Sequence, residues 1–267
     1  MSTRIQTVSV LVLLSAALVA GCGAPSDQAG RFSAGSSATG SSAPGLTADT
    51  APPTSAPPTS ASPATPPAGT TLGTGDTGPE VLALQQRLTE LGYWLGEPDG
   101  TYGGLTTQAV LALQGVTGID RDGRTGRQTR AALEVGTRYA PSSTTGAVTE
   151  IDRDRGVIAF VRDGAVQVVL HTSTGTFEEY TSNGRTLLAD TPEGSHAVSW
   201  SYDGWREGDL GRLYRPRYFH PDGVAVHGYT SVPAFPASHG CARVTLPAMD
   251  LIWTQDLMPA GSSVVVI

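Results

Sequence analysis

About 47 residues near the start of this chain carry too little apolar surface to fold, which divides the sequence before any motif is read. Residues 24 to about 71 are almost all Ala, Pro, Ser, Thr and Gly, as in Ala51-Pro52-Pro53-Thr54-Ser55 and Ala56-Pro57-Pro58-Thr59-Ser60. Such a stretch reads as a tether with a reach of roughly 40 Å as a coil and up to ~145 Å if extended. Only 39% of the 267 residues are hydrophobic, and 33 Gly and 19 Pro accompany them, so the globular part must lie downstream. The net charge of −7 removes any broad cationic surface and argues against a nucleic-acid partner.

Ahead of the tether, Arg4 precedes a short apolar stretch from Val8 to Ala20, with the length of a signal-peptide core rather than a membrane span. It ends in Leu18-Val19-Ala20-Gly21-Cys22, which resembles a bacterial lipobox. By that resemblance residues 1–21 are removed and Cys22 carries lipid, anchoring the chain to the outer face of a membrane. An ordinary secretory signal with a chance Cys is the alternative. The only other cysteine is Cys241. With Cys22 lipidated, Cys241 is a lone thiol in an exported protein, either paired between chains, reactive, or buried and inert.

From Gly73 the composition becomes that of a folded protein. Pro79 suits a first helical position, and Val81, Leu84, Leu88 and Leu91 repeat on one helical face. A glycine-rich turn over 99–104 leads to a second helix around Ala109–Gln114. A third begins near Thr125, where Thr125 and Gln128 have capping-box spacing. After a short Pro/Ser/Thr linker the chain reads as β-rich. Val157–Val161 and Val166–Leu170 flank an Asp163-Gly164 hairpin turn, and Val224-Ala225-Val226 forms a strand ending at His227. A helix is expected over Pro247–Leu257 and a last strand over Ser262–Ile267.

A thiol attacks an acyl carbon as thiolate, so Cys241 needs a base or a cation nearby. His227 and His239 are the candidate bases, and Arg243 is the candidate cation. Gly228 and Gly240 allow close backbone approach, and the amides of Gly240 and Cys241 could face an oxyanion. Zinc held by His220, His227, His239 and Cys241 is the competing reading, but spacings of seven, twelve and two match no common structural zinc pattern. No metal or other cofactor is therefore expected.

Two resemblances add to this reading. Gly75-Asp76-Thr77-Gly78, Leu84-Gln85, Leu91-Gly92-Tyr93, Asp99-Gly100, Thr106, Ala109-Val110 and Gln114 resemble the type 1 peptidoglycan-binding domain, a three-helix module. Leu113 stands where that family usually has Phe. His227-Gly228 followed by Ser238-His239-Gly240-Cys241-Ala242-Arg243 resembles the signature of L,D-transpeptidases with a YkuD-type catalytic domain, and Ser173-Thr174-Gly175 and Thr191-Pro192-Glu193-Gly194 also match. The resemblance implies a multidomain protein. A signal peptide (1–21), a tether (22–71), an all-α binding module (72–137) and a linker (138–146) would precede a mainly β, sandwich-like mixed-sheet catalytic domain (147–267). It implies Cys241 as nucleophile and His227 as base, its ring oriented by a carbonyl near Gly228. His239 would be an orienting neighbour, Ser238, Gly240 and Gly228 the loop and oxyanion positions, and Arg243 a substrate contact.

The implied reaction cleaves a tetrapeptide stem of peptidoglycan, releases the terminal D-alanine and passes the acyl group to an amine, forming 3→3 cross-links. Carbapenem-type β-lactams would acylate the same Cys. Hydrolysis by an L,D-carboxypeptidase, and a non-catalytic wall-binding lipoprotein, are the alternatives. Tyr218 and His220 lie upstream without an assignable role.

Overall fold

The computed structural model describes residues 69–267; the readings on the leader, Cys22 and most of the tether lie outside the described residues. Three helices come first: α1 (Pro79–Glu90), α2 (Gly104–Thr117) and α3 (Arg127–Val135). Val81, Leu84 and Leu88 of α1 are buried, as their spacing requires, with Pro79 in the first turn. The expected capping box on α3 does not form. Gly126 is the N-cap, and Thr125 is instead buried, bridged to Leu72 and within hydrogen-bond reach of the Tyr102 hydroxyl.

Strands β1 (Ala147–Asp152), β2 (Val157–Arg162) and β3 (Ala165–His171) follow, with Asp163 and Gly164 both at positive φ in the turn between β2 and β3. Next come β4 (Glu179–Ser182), β5 (Arg185–Leu188), β6 (Gly194–Ala197), β7 (Trp200–Ser201), β8 (Trp205–Gly208), β9 (Gly211–Tyr218), β10 (Ala225–Tyr229) and β11 (Ala242–Thr245). Helix α4 (Leu246–Thr254) and β12 (Ser263–Val266) complete the domain. One sheet has the order β3-β2-β1-β12-β6, the other β11-β10-β9-β7 with β8 also on β9, and β4–β5 is a separate hairpin. In the first sheet β1 and β12 are parallel neighbours while the remaining pairs are antiparallel, so the sheet is mixed. The chain changes sheets between Ala197 of β6 and Trp200 of β7.

The uninterrupted apolar run Val157–Val161 has a two-sided explanation. Successive strand side chains point to opposite faces. Val157, Ala159 and Val161 join Leu84, Leu88, Tyr93 and Leu113 in a core shared with the helices. Ile158 and Phe160 join Val226, Val244, Met249 and Ile252 in a second core between the sheets and α4. The helical module also extends the first sheet: Trp94 N–H donates to Val169 O at 3.1 Å and Val169 N–H to Gly92 O at 2.9 Å. The exposed edge of β3 is thereby paired. Between module and β1, Tyr139 is buried and bonds Glu150, which also accepts from Ser142 and Ser143. Burial pushes the Glu150 carboxyl up, but these donors outweigh it and hold it below its ordinary value.

Candidate active site

Strand β10 pairs in parallel with β11, with Val226 opposite Ala242 and His227 opposite Arg243. Val226, Ala242 and Val244 are buried in the core. By alternation His227, Arg243 and Cys241 therefore face the other way, into an open groove. Tyr180 of β4 forms one wall, and Leu210 and Leu213 of the β8–β9 hairpin form the other. Asn183 Nδ2 donates to Asp209 Oδ2 at 2.9 Å and joins the tips of the two hairpins.

His227 is buried, and its Nδ1 lies 2.9 Å from Gly228 O. A carbonyl only accepts, so Nδ1 carries the proton and Nε2 is left as the basic nitrogen. Burial lowers the imidazole pKa to about 4; the Gly228 bond opposes the shift and the Arg243 charge adds to it. Cys241 is half-buried. Burial pushes its thiol above the ordinary value, against the Ala225 N–H and the Arg243 charge, which pull it down. Both groups are thus neutral in the resting site. The Cys241 thiol makes a long 3.9 Å contact to Gly223 O, and no hydrogen bond joins it to His227. Catalytic hydrogen bonds are commonly loose until substrate closes them.

The loop before Cys241 is held from inside. Ser238 is buried; its Oγ donates to Cys241 O at 2.6 Å and accepts from Gly240 N–H at 3.0 Å. This corrects the expectation that the Gly240 amide faces an oxyanion, because Ser238 already engages it. The Cys241 N–H has no partner among the described residues and is the amide left for that role. Gly240 has φ +136°, and a Cβ there would lie 2.5 Å from Asp190 O, so glycine serves backbone approach. Thr191 Oγ1 ties the loop down, donating to Gly240 O at 2.6 Å and accepting from Gly175 N–H at 3.0 Å. Gly228 too has a different reason from the one expected. A Cβ would meet Tyr214 at 2.8 Å and Met249 at 3.1 Å, so its smallness serves packing under α4, not substrate approach.

Arg243 lies 4.3 Å from the Tyr229 ring centre and donates to Ala237 O at 2.9 Å. It has no carboxylate partner among the described residues. His239 is exposed on the groove, edge-on to Tyr180 with ring centres 4.7 Å apart, and makes no hydrogen bond among the described residues. His220 is directed elsewhere, between Asp222 and His196. Tyr218, left without a role by sequence, pairs with Ala225 across β9–β10, close enough to Cys241 for their charges to interact. Burial pushes its hydroxyl pKa up, with the Arg206 charge opposing, and its ring stacks on Trp200 at 4.2 Å. Only the register of three strands brings Tyr218 to the thiol; no local motif marks it. No group of three or more His, Cys, Asp or Glu side chains converges as a metal site among the described residues.

Comparisons with known proteins cover both the helical module and the β-rich domain. The family model for the YkuD L,D-transpeptidase catalytic domain matches residues 146–267, and that for a peptidoglycan binding domain matches residues 77–133. The crystal structure of an L,D-transpeptidase fragment from Xylanimonas cellulosilytica DSM 15894 is 47% identical, with a TM-score of 0.72. The alignment covers 76% of this chain and all of that one. The N-acetylmuramoyl-L-alanine amidase CwlL of Bacillus licheniformis is 39% identical over 92 residues, 33% of this chain. This chain spans only 26% of that curated relative's length.

Proposed function

The chain belongs to the L,D-transpeptidase family, and we propose that it is a wall-modifying enzyme with Cys241 as nucleophile and His227 as base. The observation that carries this reading is the parallel β10–β11 pairing, which brings His227 to the same groove as the one free thiol of the described residues. The substrate is a peptidoglycan stem ending in D-alanine. Cys241 Sγ attacks the carbonyl of the third residue as its proton passes to His227 Nε2. Both groups start neutral, so attack and proton transfer are coupled rather than drawn from a stored thiolate. The oxyanion takes the Cys241 N–H, and Arg243 attracts a substrate carboxylate. His227 returns the proton to the departing amine, D-alanine leaves, and a thioester remains. An amine of a neighbouring stem, deprotonated by His227, then takes the acyl group and closes a 3→3 cross-link. Ser238 and Gly240 shape the loop, and His239 with Tyr180 borders the acyl site.

The same reading places the chain outside the cytoplasm, facing the wall. Cys22 is its lipid anchor, residues 22–71 its tether, residues 72–137 its wall-binding module and residues 147–267 its catalytic domain. The test is incubation of the protein from residue 23 onward with a tetrapeptide-bearing muropeptide, read by mass spectrometry. D-Alanine and a cross-linked dimer are expected from the parent, and neither from Cys241→Ala or His227→Ala. Tripeptide without dimer would make it a carboxypeptidase, and turnover by Cys241→Ala would sink the mechanism.

A further inference from the structure

The loop that separates the base from the nucleophile, residues 230–237, is anchored by side chains from outside it. Ser173 Oγ donates to Phe235 O at 2.8 Å, His171 Nε2 lies 2.9 Å from Pro233 O, and Arg243 holds Ala237 O. Ala237 and Ser238 both donate their N–H to Thr174 O at 3.0 Å. One further anchor comes from the helical module: Gln108 Nε2, on α2, donates to Val232 O at 3.1 Å across 124 residues of sequence. Val232 itself is buried.

A second route reaches the same loop. The module caps the edge of β3 through Gly92 and Trp94. Strand β3 runs on into His171, Ser173, Thr174 and Gly175, which line up against the catalytic segment through the Ser173–Arg243 and Gly175–Ser238 bridges. Strands β2 and β3 also share one apolar core with all three helices. A mere targeting unit needs neither a shared core nor a side chain reaching the catalytic loop.

We infer that the helical module is a working part of the catalytic apparatus, with Gln108 as a positioning residue that fixes Val232 and, through residues 230–237, the Ser238–Cys241 loop. Gln108 touches no reacting group and acts through the loop alone. This rests on the reading of Cys241 as nucleophile, but the physical claim, that Gln108 orders the loop, has its own readout.

The test compares the parent protein from residue 23 onward with Gln108→Met, which keeps length and loses the donor, and with Gln108→Ala. Hydrogen exchange is followed by mass spectrometry in peptides spanning 230–243 and in peptides of α1 and α3, alongside kcat and KM for D-alanine release. The expected result is faster exchange confined to 230–243 in both variants. It is accompanied by about a tenfold fall in kcat at unchanged KM, the scale of loss that small misplacements of a reacting group produce. Unchanged exchange in 230–243 overturns the inference whatever the activity. Faster exchange spread equally over α1 and α3 overturns it too, because Gln108 would then be ordinary packing. A parent protein that releases no D-alanine, with loop-confined exchange in the variants, would reject the transpeptidase reading and leave the loop-ordering role standing.

Discussion

Lowering the pH from 7 to 5 should scarcely slow the acylation of Cys241. The reason is the burial of His227, which holds its pKa at about 4. An imidazole at its ordinary value of about 6.5 would keep only ~3% of its molecules neutral at pH 5, and a base-dependent step would slow roughly 25-fold from pH 7. At a pKa of about 4 roughly 90% remain neutral at pH 5, and the loss is about a tenth. The assay is single-turnover acylation by a carbapenem-type β-lactam, followed by stopped-flow absorbance from pH 3.5 to 8 at constant ionic strength, with circular dichroism confirming the fold at each point. The acidic limb should have its midpoint near 4. In Arg243→Gln it should move upward, because one cause of the depression is that charge, yet stay below 6.5, because burial is the larger cause. A parent midpoint near 6.5 would refute the buried neutral base. An Arg243→Gln limb that does not move would refute the electrostatic link between the paired residues.

Stability should follow the same histidines. Folded His227 and His171 take a proton only near pH 4, both through burial, whereas the unfolded chain takes them at about 6.5. Between those values the unfolded state holds more protons, so stability falls with falling pH by up to ~1.4 kcal/mol per unit for each histidine. Urea titrations at pH 7 and 5 would read this, and equal midpoints would count against it. Ser238→Ala leaves the Gly240 N–H and Cys241 carbonyl without their partner and should cost about 1–3 kcal/mol in urea unfolding, together with slower acylation. Gly240→Ala drives a Cβ to 2.5 Å from Asp190 O at φ +136°, and it should abolish acylation even where soluble protein is recovered.

The parts of this chain that sequence made legible are those with a local physical signature. Helix α1 follows from four apolar residues at helical spacing and a proline at its start. The β2–β3 hairpin follows from Asp163-Gly164, which tolerate positive φ. The catalytic loop follows from its chemistry, since a lone thiol among His, Gly and Arg has few other readings. The hairpins that wall the groove left no such trace. Every residue of β8 is exposed, and β4 alternates exposed and half-buried positions without an apolar period. Tyr218 and Gln108 escaped for another reason: each meets the site through pairings that no nearby residue encodes. The engagement of the Gly240 amide is not legible in sequence either, because proximity to the nucleophile does not reveal that its N–H donates to Ser238 Oγ, two residues earlier.

Strand β12 sits in the interior of the first sheet, parallel to β1, with Val148 opposite Ser263, about 115 residues further on. Made and then, on the export reading, threaded across the membrane with its N-terminus first, the chain delivers these partners at opposite ends of the process. Until Ser263–Val266 arrives, β1 lacks one neighbour and β6 has no strand to join it to the sheet. Closing so long a loop is slow and must precede the contacts that reward it. The domain is thus built to stay unfinished until its final strand is delivered. The wait applies to chemistry as well as shape, because β12 contributes Val264 and Val266 to the core beneath His227 and Cys241.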